Sequence, residues 1–474
     1  MVVRSAAWSA IQIGGNQVTS FIVFMILTRI LKPSDLGLVA LALSFIDLAG
    51  PLMRGGLPEA LIQRKETTEE QADTCFWGTL TMSFVLGGAL VAGAGGFARL
   101  FGAPALAPVL RVLALLLPIS ALTAVHEARI TRAFGYRALA VRGLASNLIG
   151  GVVGVVMARM GYGLWSLVAQ RIVAALASVV IIWASFPWRP RLKFSVPDFK
   201  SMIRFGVHMV ITNFLSTLNG RIADFVLGYC LGTAAVGHVR VASRCLEMVT
   251  QFTMNPLMSV ALPALSRLQS DRPAFERAVT RMVQVCGLMT FPAYIGLALV
   301  SRQIVPLVFG AQWTVSASLL PIMCFSVVPI TLQYVAWPAL ASVGRSDRAA
   351  LGVFIVVASS ALATALAAPF GVRAAVTANV ARSYLTLPII LAICQRHTGV
   401  RWNVLVSAIG LPLAGSAVMA MVVYAVGKLG LTLPVHWKLA LMIGSGLVTY
   451  GAFLFFYGRR TIGEISGMRL KAAV

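Results

Sequence analysis

The sequence predicts an all-α polytopic membrane protein of about fourteen transmembrane helices, arranged as two six-helix lobes and two further C-terminal helices. Three observations carry that prediction. The first is composition: 58% of the 474 residues are hydrophobic and only 11% are charged, less than half the charged share of a soluble domain, and the mean hydropathy is +0.86. The second is length. Apolar runs of roughly 18 to 25 residues, enough to cross a hydrocarbon core as a helix, recur from end to end. They are continuous rather than alternating, which excludes a β-barrel. The third is the placement of the 39 Lys and Arg residues, which outnumber the 15 acids and give a net charge of +24.

The elements follow in order. The run at 6–30 is too long for the apolar core of a signal peptide and leads straight into further runs, so it reads as the first span. The second, 36–61, starts just after the proline of "LKPSD" and is interrupted by Gly50-Pro51, a hinge or a static kink. The mixed-charge "QRKETTEEQAD" (63–73) reads as a solvated turn before the third span, 74–97. Spans at 106–126, 138–159 and 162–186 complete the first lobe. The fifth carries "NLIGGVVGV", small residues at the spacing of close helix packing, with Asn147 as a hydrogen-bonding partner.

The basic, proline-punctuated "FPWRPRLKFSVPDFK" (186–200) then divides the chain. Spans at 203–230, 233–262, 279–300, 314–341, 349–369 and 373–395 form the second lobe, and 403–427 and 437–458 follow it. The expected organisation is therefore an N-lobe at 1–186, a cytoplasmic basic linker at 187–200, a C-lobe at 201–396, and two last spans with a cytoplasmic C-terminus at 397–474.

Starting inside the cell, this arrangement puts 24 of the basic residues on the cytoplasmic side and nine on the other, the asymmetry of the positive-inside rule. It accounts for the net charge without any nucleic-acid partner. The six cysteines lie in apolar runs without CxxC spacing, so they read as small hydrophobes rather than as a disulfide framework or metal site. The two lobes also repeat one another weakly. "LKPSDLGLVALALSFIDLAGPLM" (31–53) can be laid on 231–258, and "FGAPALAPVLRVLALLLPISAL" (101–122) on "FGAQWTVSASLLPIMCFSVVPI" (309–330). Parallel repeats of this kind are a transporter signature, with the substrate site between the halves.

Several stretches are similar to the polysaccharide-transporter family, the Wzx-type oligosaccharide flippases of the superfamily that also holds the MATE exporters and the lipid II flippases. "LTRILKPSDLGLVALAL" and "ALIQRK" carry the resemblance most specifically, with "LNGRIADFVLGYCLG" (218–232) and "NPLMSVALPALSRLQSDRPAFERAV" (255–279) beside them. It implies two lobes forming a V around a central cavity that opens alternately to each side. The implied cargo is an oligosaccharide on an undecaprenyl-diphosphate carrier, with membrane lipid and the polysaccharide polymerase or export machinery as further partners. The implied place is the bacterial inner membrane. Where many relatives have an acid before the glycine of "MRGGLPEAL", this chain has Arg54, so a role tied to that acid does not transfer.

Charges inside spans are costly, about 2.5–3.5 kcal/mol for a mid-span arginine, and they face a wet cavity or a partner. In spans seven and eight, Arg221 and Asp224 share a helix face at i,i+3, and Arg240, Arg244 and Glu247 form a second stripe. They either line a cavity wall or fasten two helices as ion pairs. In the cavity reading the surplus arginine suits a diphosphate or a carboxylated sugar, because its planar fork gives bidentate contacts. In the second span Asp47 and Arg54 lie seven apart on one face, and Arg171 and Arg382 stand alone in later spans. The candidate cargo contacts are thus Arg54, Arg171, Arg221, Arg240 and Arg244. Asp47, Asp224 and Glu247 are candidates for ion coupling or for ion-pair partners.

No GxxxxGK[ST] loop is present, hence no ATPase module. No carboxylate pair or nucleophile–base set lies in a loop, so the expectation is a transporter and not an enzyme, with no catalytic residue, cofactor or metal. A MATE-type multidrug or cation antiporter is the alternative, and the basic intramembrane balance counts against it.

Overall fold

In the computed structural model the described residues are 2–64, 67–133, 135–429 and 434–458, and they are helical with no strand among them. Lys65, Arg459, Arg460, Arg469 and Lys471, all counted in the charge asymmetry, lie outside the described residues. The chain forms two compact units, residues 1–240 with 360–372, and residues 241–359 with 373–474.

The first unit contains α1 (Val2–Ile30), α2 (Pro33–Arg54), α3 (Leu57–Gln63), α4 (Glu69–Leu100), α5 (Leu106–Leu113), α6 (Leu116–Arg132), α7 (Tyr136–Arg159), α8 (Trp165–Ser185) and α9 (Val196–Leu231), and the start of α10 (Thr233–Thr253). Small residues decide how α1, α7 and α8 approach. A Cβ on Gly150 would come within 2.6 Å of the Gln170 carbonyl, and one on Gly151 within 2.4 Å of Val23. Asn147 donates to Asn16 of α1 at 3.4 Å. The "NLIGGVVGV" stretch is therefore a packing face, as its spacing predicts.

The basic linker is a strap. The Arg191 and Ser195 backbone N–H groups donate to Asp73 and Thr74 of α4, each at 3.0 Å, and Trp77 donates to the Arg191 carbonyl at 2.8 Å. Trp188 is buried in the core made by α3, α4 and α6. Arg129 of α6 grips Glu69 with two nitrogens, at 2.8 and 2.9 Å, and lies over the Trp188 ring. The "QRKETTEEQAD" turn is thus not simply solvated: Glu69 and Asp73 hold α6 and the linker in place. Thr68 and Gln71 form a capping box that starts α4.

The second unit continues with the rest of α10, α11 (Asn255–Ser266), α12 (Arg272–Phe309), α13 (Thr314–Cys324), α14 (Val327–Ser342), α15 (Ser346–Ala367, of which the last turns belong to the first unit), α16 (Val372–Thr398), α17 (Trp402–Ala408), α18 (Gly410–Lys428) and α19 (Val435–Tyr457). The long α12 is its spine, with Phe291, Tyr294 and Phe309 fully buried. Tyr294 shares a hydrogen bond with Thr250 at 2.8 Å, and Tyr450 of α19 donates to the Leu288 carbonyl at 2.9 Å. Arg382 of α16 bonds Asn379 at 2.7 Å and the Val356 carbonyl at 3.4 Å, filling a place among late helices. The Phe-Gly stretches of the sequence repeat begin alike. Gly102 (φ 58°) and Gly310 (φ 110°) each open a helix that breaks, after Leu113 and after Cys324, before a second one continues.

Among the described residues ten helices are long and apolar enough to cross a membrane, or eleven if the pair Ala311–Cys324 and Val327–Ser342, bent by 59°, counts as one. The expected fourteen is not reached on that criterion. Three expected spans lie outside that count: the one on α1, and those on α9 and α10, whose polar residues (Asn213, Asn219, Arg221 and Asp224; Arg240, Arg244 and Glu247) dilute their apolar runs, with α11 a separate helix of 12 residues. The second expected span also ends earlier. α2 stops at Arg54, where Gly55 and Gly56 take φ of 57° and 72°, a region open to glycine at little cost, and α3 starts in a new direction. Five cysteines are buried and Cys230 is exposed.

Candidate functional site: the α2–α9 seam and its polar cavity

The polar residues of α2 and α9 meet along one antiparallel seam. At one end two glycines touch: a Cβ on Gly56 would stand 2.3 Å from the Gly206 Cα, and one on Gly206 would stand 2.5 Å from the Gly55 carbonyl. Only glycine permits that approach, and it sets the register of everything beyond. At the other end the Leu41 side chain lies 3.2 Å from where a Gly228 Cβ would be.

Next along from the glycine contact is a cavity of about 350 Å³, lined by Gly50, Pro51, Arg54 and Glu59 from α2 and α3 and by Asn213, Ser216 and Thr217 from α9, with Gly56 and Val210 at its edge. Asn213, Ser216 and Thr217 recur at i, i+3 and i+4, so one helix face presents an amide and two hydroxyls. Asn213 and Ser216 are exposed. Opposite them, Gly50 leaves room, with nothing within 4 Å of an added Cβ.

Four residues beyond Thr217 along α9, or roughly 6 Å at the helical rise, the seam closes on charges. Arg221 meets Asp47 of α2 at 2.7 Å and Asp224 of its own helix at 3.6 Å. Ser44 of α2 donates to Asp224 at 3.1 Å. Asp224 is 4% exposed. Phe45 packs against Phe225 at 4.8 Å and Phe97 at 4.6 Å between ring centres, an apolar cluster in the same stretch of the seam.

Of the sequence candidates, the structure brings Asp47, Arg221 and Asp224 together. Arg54 does not pair with Asp47, its neighbour on the same helix face. It lies 3.8 Å from Glu127 of α6, which also accepts from Thr123 at 2.9 Å and from Arg142 of α7. In the second unit Arg244 pairs with Glu247 at 3.2 Å, one turn apart on α10. Arg240 is half-buried on the same helix, and Arg171 is exposed on α8, outside the cavity lining. Sequence reasoning missed Glu127 as the anchor of Arg54, and it missed the cavity face of α9 altogether. The signal for the latter was there: Asn213, Ser216 and Thr217 share one side of α9. Among the described residues no cluster of three or more His, Cys, Asp or Glu has a metal-binding arrangement.

The profile of the family described as "Polysaccharide biosynthesis protein" matches residues 26–318, more than half of the chain, and the chain belongs to that family. Its relatives include the succinoglycan biosynthesis transport protein ExoT of Rhizobium meliloti (strain 1021), 28% identical over 73% of this chain and 70% of that one. The lipopolysaccharide biosynthesis protein WzxC of Escherichia coli (strain K12) is 26% identical over 68% of this chain and 66% of the other. Among solved structures the chain is similar to the lipid II flippase MurJ in an inward closed conformation, with a TM-score of 0.78 at 14% identity, covering 96% of this chain and 99% of that one. An inward-facing MATE multidrug-resistance transporter of the MOP superfamily gives 0.61 at 15% identity over 83% of this chain and 98% of its own. These likenesses fix the fold as that of a polytopic membrane transporter.

Proposed function

We propose that this member of the polysaccharide biosynthesis protein family is a flippase, which moves a lipid-linked oligosaccharide across the cytoplasmic membrane for assembly of a surface polysaccharide. The carrier is undecaprenyl diphosphate, the chain sits in the bacterial inner membrane with both termini cytoplasmic, and the polysaccharide polymerase or export machinery takes up the product. The observation that carries the reading is the cavity between α2, α3 and α9. It is an open cavity of mixed polarity in an apolar protein, with an arginine and a glutamate on one wall and an amide and two hydroxyls on the other. Its volume falls in the range of ligand pockets. A guanidinium matches a diphosphate and hydroxyl-bearing walls match a sugar.

Transport proceeds by alternating access of an N-lobe (1–186) and a C-lobe (201–396) joined by the linker at 187–200, with 397–474 outside both. Arg54 is the proposed cargo contact in the described cavity. Arg171, Arg240 and Arg244 are proposed to extend the cationic path. Arg221, Asp47 and Asp224 act as a releasable ion-pair set, and Glu247 holds Arg244. The names of the relatives, a transport protein for succinoglycan and a lipopolysaccharide biosynthesis protein, support transport rather than an enzymatic step. A multidrug exporter is supported less, since Arg54 on the wall disfavours a cationic drug.

The test is lipid analysis of a strain lacking the protein. Accumulation of a polyprenyl-diphosphate oligosaccharide on the cytoplasmic leaflet, with loss of exported polysaccharide, is expected. Normal export with altered sensitivity to cationic compounds would overturn the reading.

A further inference from the structure

Among the described residues Glu59 is the one acid on the cavity wall, and no part of the reading above uses it. It stands on α3, carried there by the Gly55-Gly56 turn. Its Oε2 is shut away from solvent and meets no hydrogen-bond donor among the described residues. The cation on the same wall, Arg54, pairs with Glu127 instead. As a carboxylate on the cavity wall, Glu59 can accept donors from what enters the cavity.

The partner must therefore be rich in donors and must carry no negative charge where it meets Glu59, because two carboxylates facing each other in a low dielectric repel strongly. A diphosphate fails that condition and a neutral sugar meets it. Asn213, Ser216 and Thr217, across from Glu59 on α9, offer further neutral groups that match hydroxyls.

We propose that Glu59 selects the sugar at the carrier end of the cargo: its carboxylate accepts hydroxyl donors from a neutral first sugar and rejects a uronic acid, while Arg54 takes the diphosphate. This rests on the flippase reading and adds the substrate class. Rejection by an unpaired like charge is an efficient source of specificity, because it acts only against the wrong cargo.

The experiment uses full-length protein in nanodiscs and three probes: undecaprenyl diphosphate, undecaprenyl diphosphoryl-glucose and undecaprenyl diphosphoryl-glucuronate. The wild type is expected to bind the glucose probe about tenfold more tightly than the glucuronate probe, a factor within what one unsatisfied buried polar group costs. Glu59→Gln is expected to bring the two within about twofold, mainly by tighter binding of glucuronate once the repulsion has gone. Unchanged binding of undecaprenyl diphosphate shows that the variant is folded. Should Glu59→Gln not fold, Glu59→Asp keeps the charge and must keep the preference for glucose. The inference is overturned if the wild type does not discriminate, if Glu59→Gln discriminates as the wild type does, or if Glu59→Asp loses the preference. A wild type that binds none of the three probes overturns the flippase reading instead.

Discussion

Replacing Arg221 by alanine separates the two roles an intramembrane arginine can have. The guanidinium is 20% exposed and serves two carboxylates, Asp47 at 2.7 Å and Asp224 at 3.6 Å. Their solvation differs: the Asp47 side chain is 38% exposed and that of Asp224 is 6% exposed. Removing Arg221 takes a cation from Asp224, to which Ser44 also donates. Taking a cationic partner from a buried charge costs up to about 3–5 kcal/mol, so Arg221→Ala should destabilise by about 3 kcal/mol. Asp47→Ala leaves Arg221 with Asp224 and gives up a half-solvated pair, which is worth about 0.2–1 kcal/mol. The two variants are thus expected to differ by about 2 kcal/mol, the difference between a buried charge that loses a cation and a lost solvated pair. Unfolding of the purified protein by sodium dodecyl sulfate in mixed micelles, followed by fluorescence of its nine tryptophans, reads both. Ordinary interhelical hydrogen bonds in membranes average about 0.6 kcal/mol. An Arg221→Ala effect no larger than that, or equal to that of Asp47→Ala, would refute the account of Asp224 as a charge held by Arg221.

Two further outcomes follow from the same packing. Gly206→Ala places a Cβ 2.5 Å from the Gly55 carbonyl, backbone that has no side chain to swing away, and should cost about 1–3 kcal/mol. Gly220→Ala, with nothing within 4 Å, should be neutral or slightly stabilising through helix propensity, and the same unfolding assay compares them. Glu127→Gln keeps an acceptor for Thr123 but loses the charge that meets Arg54 and Arg142. With Arg142 only 15% exposed, a loss of about 2 kcal/mol is expected, and a change under about 0.5 kcal/mol would remove Glu127 as the anchor.

The sequence made the helical membrane class plain, because composition and run length depend on nothing but the residues. It also made the i,i+3 relation of Arg221 and Asp224 plain, since that is fixed within one helix. What it left open was which partner lies across a helix interface. Asp47 and Arg54 share a face of α2, yet one goes to α9 and the other to α6, because the Gly55-Gly56 turn and the Gly56–Gly206 contact decide what packs beside each end. The linker is a similar case: its arginines and prolines mark a basic connection, but the polar atoms that tie it down are its backbone N–H and C=O groups, and these leave no mark in composition.

The α2–α9 seam bears on alternating access, because α2 belongs to the proposed N-lobe and α9 to the proposed C-lobe. If the lobes part, this seam is where they separate, and the ion pair between Asp47 and Arg221 must break and re-form in each cycle. The charges suit that use. Arg221 keeps Asp224 on its own helix when Asp47 leaves, so neither the arginine nor the buried acid is left alone, and only Asp47, the more solvated partner, is released toward water. A short bifunctional thiol cross-link between Leu41→Cys and Gly228→Cys, whose positions face each other across the seam, should therefore abolish transport reversibly. The background is Cys230→Ser, which removes the exposed native thiol. Export should return when the link is reduced, and each single cysteine treated in the same way should export normally. Full export by a completely cross-linked protein would mean that α2 and α9 travel together, and the moving boundary would then have to run outside this seam.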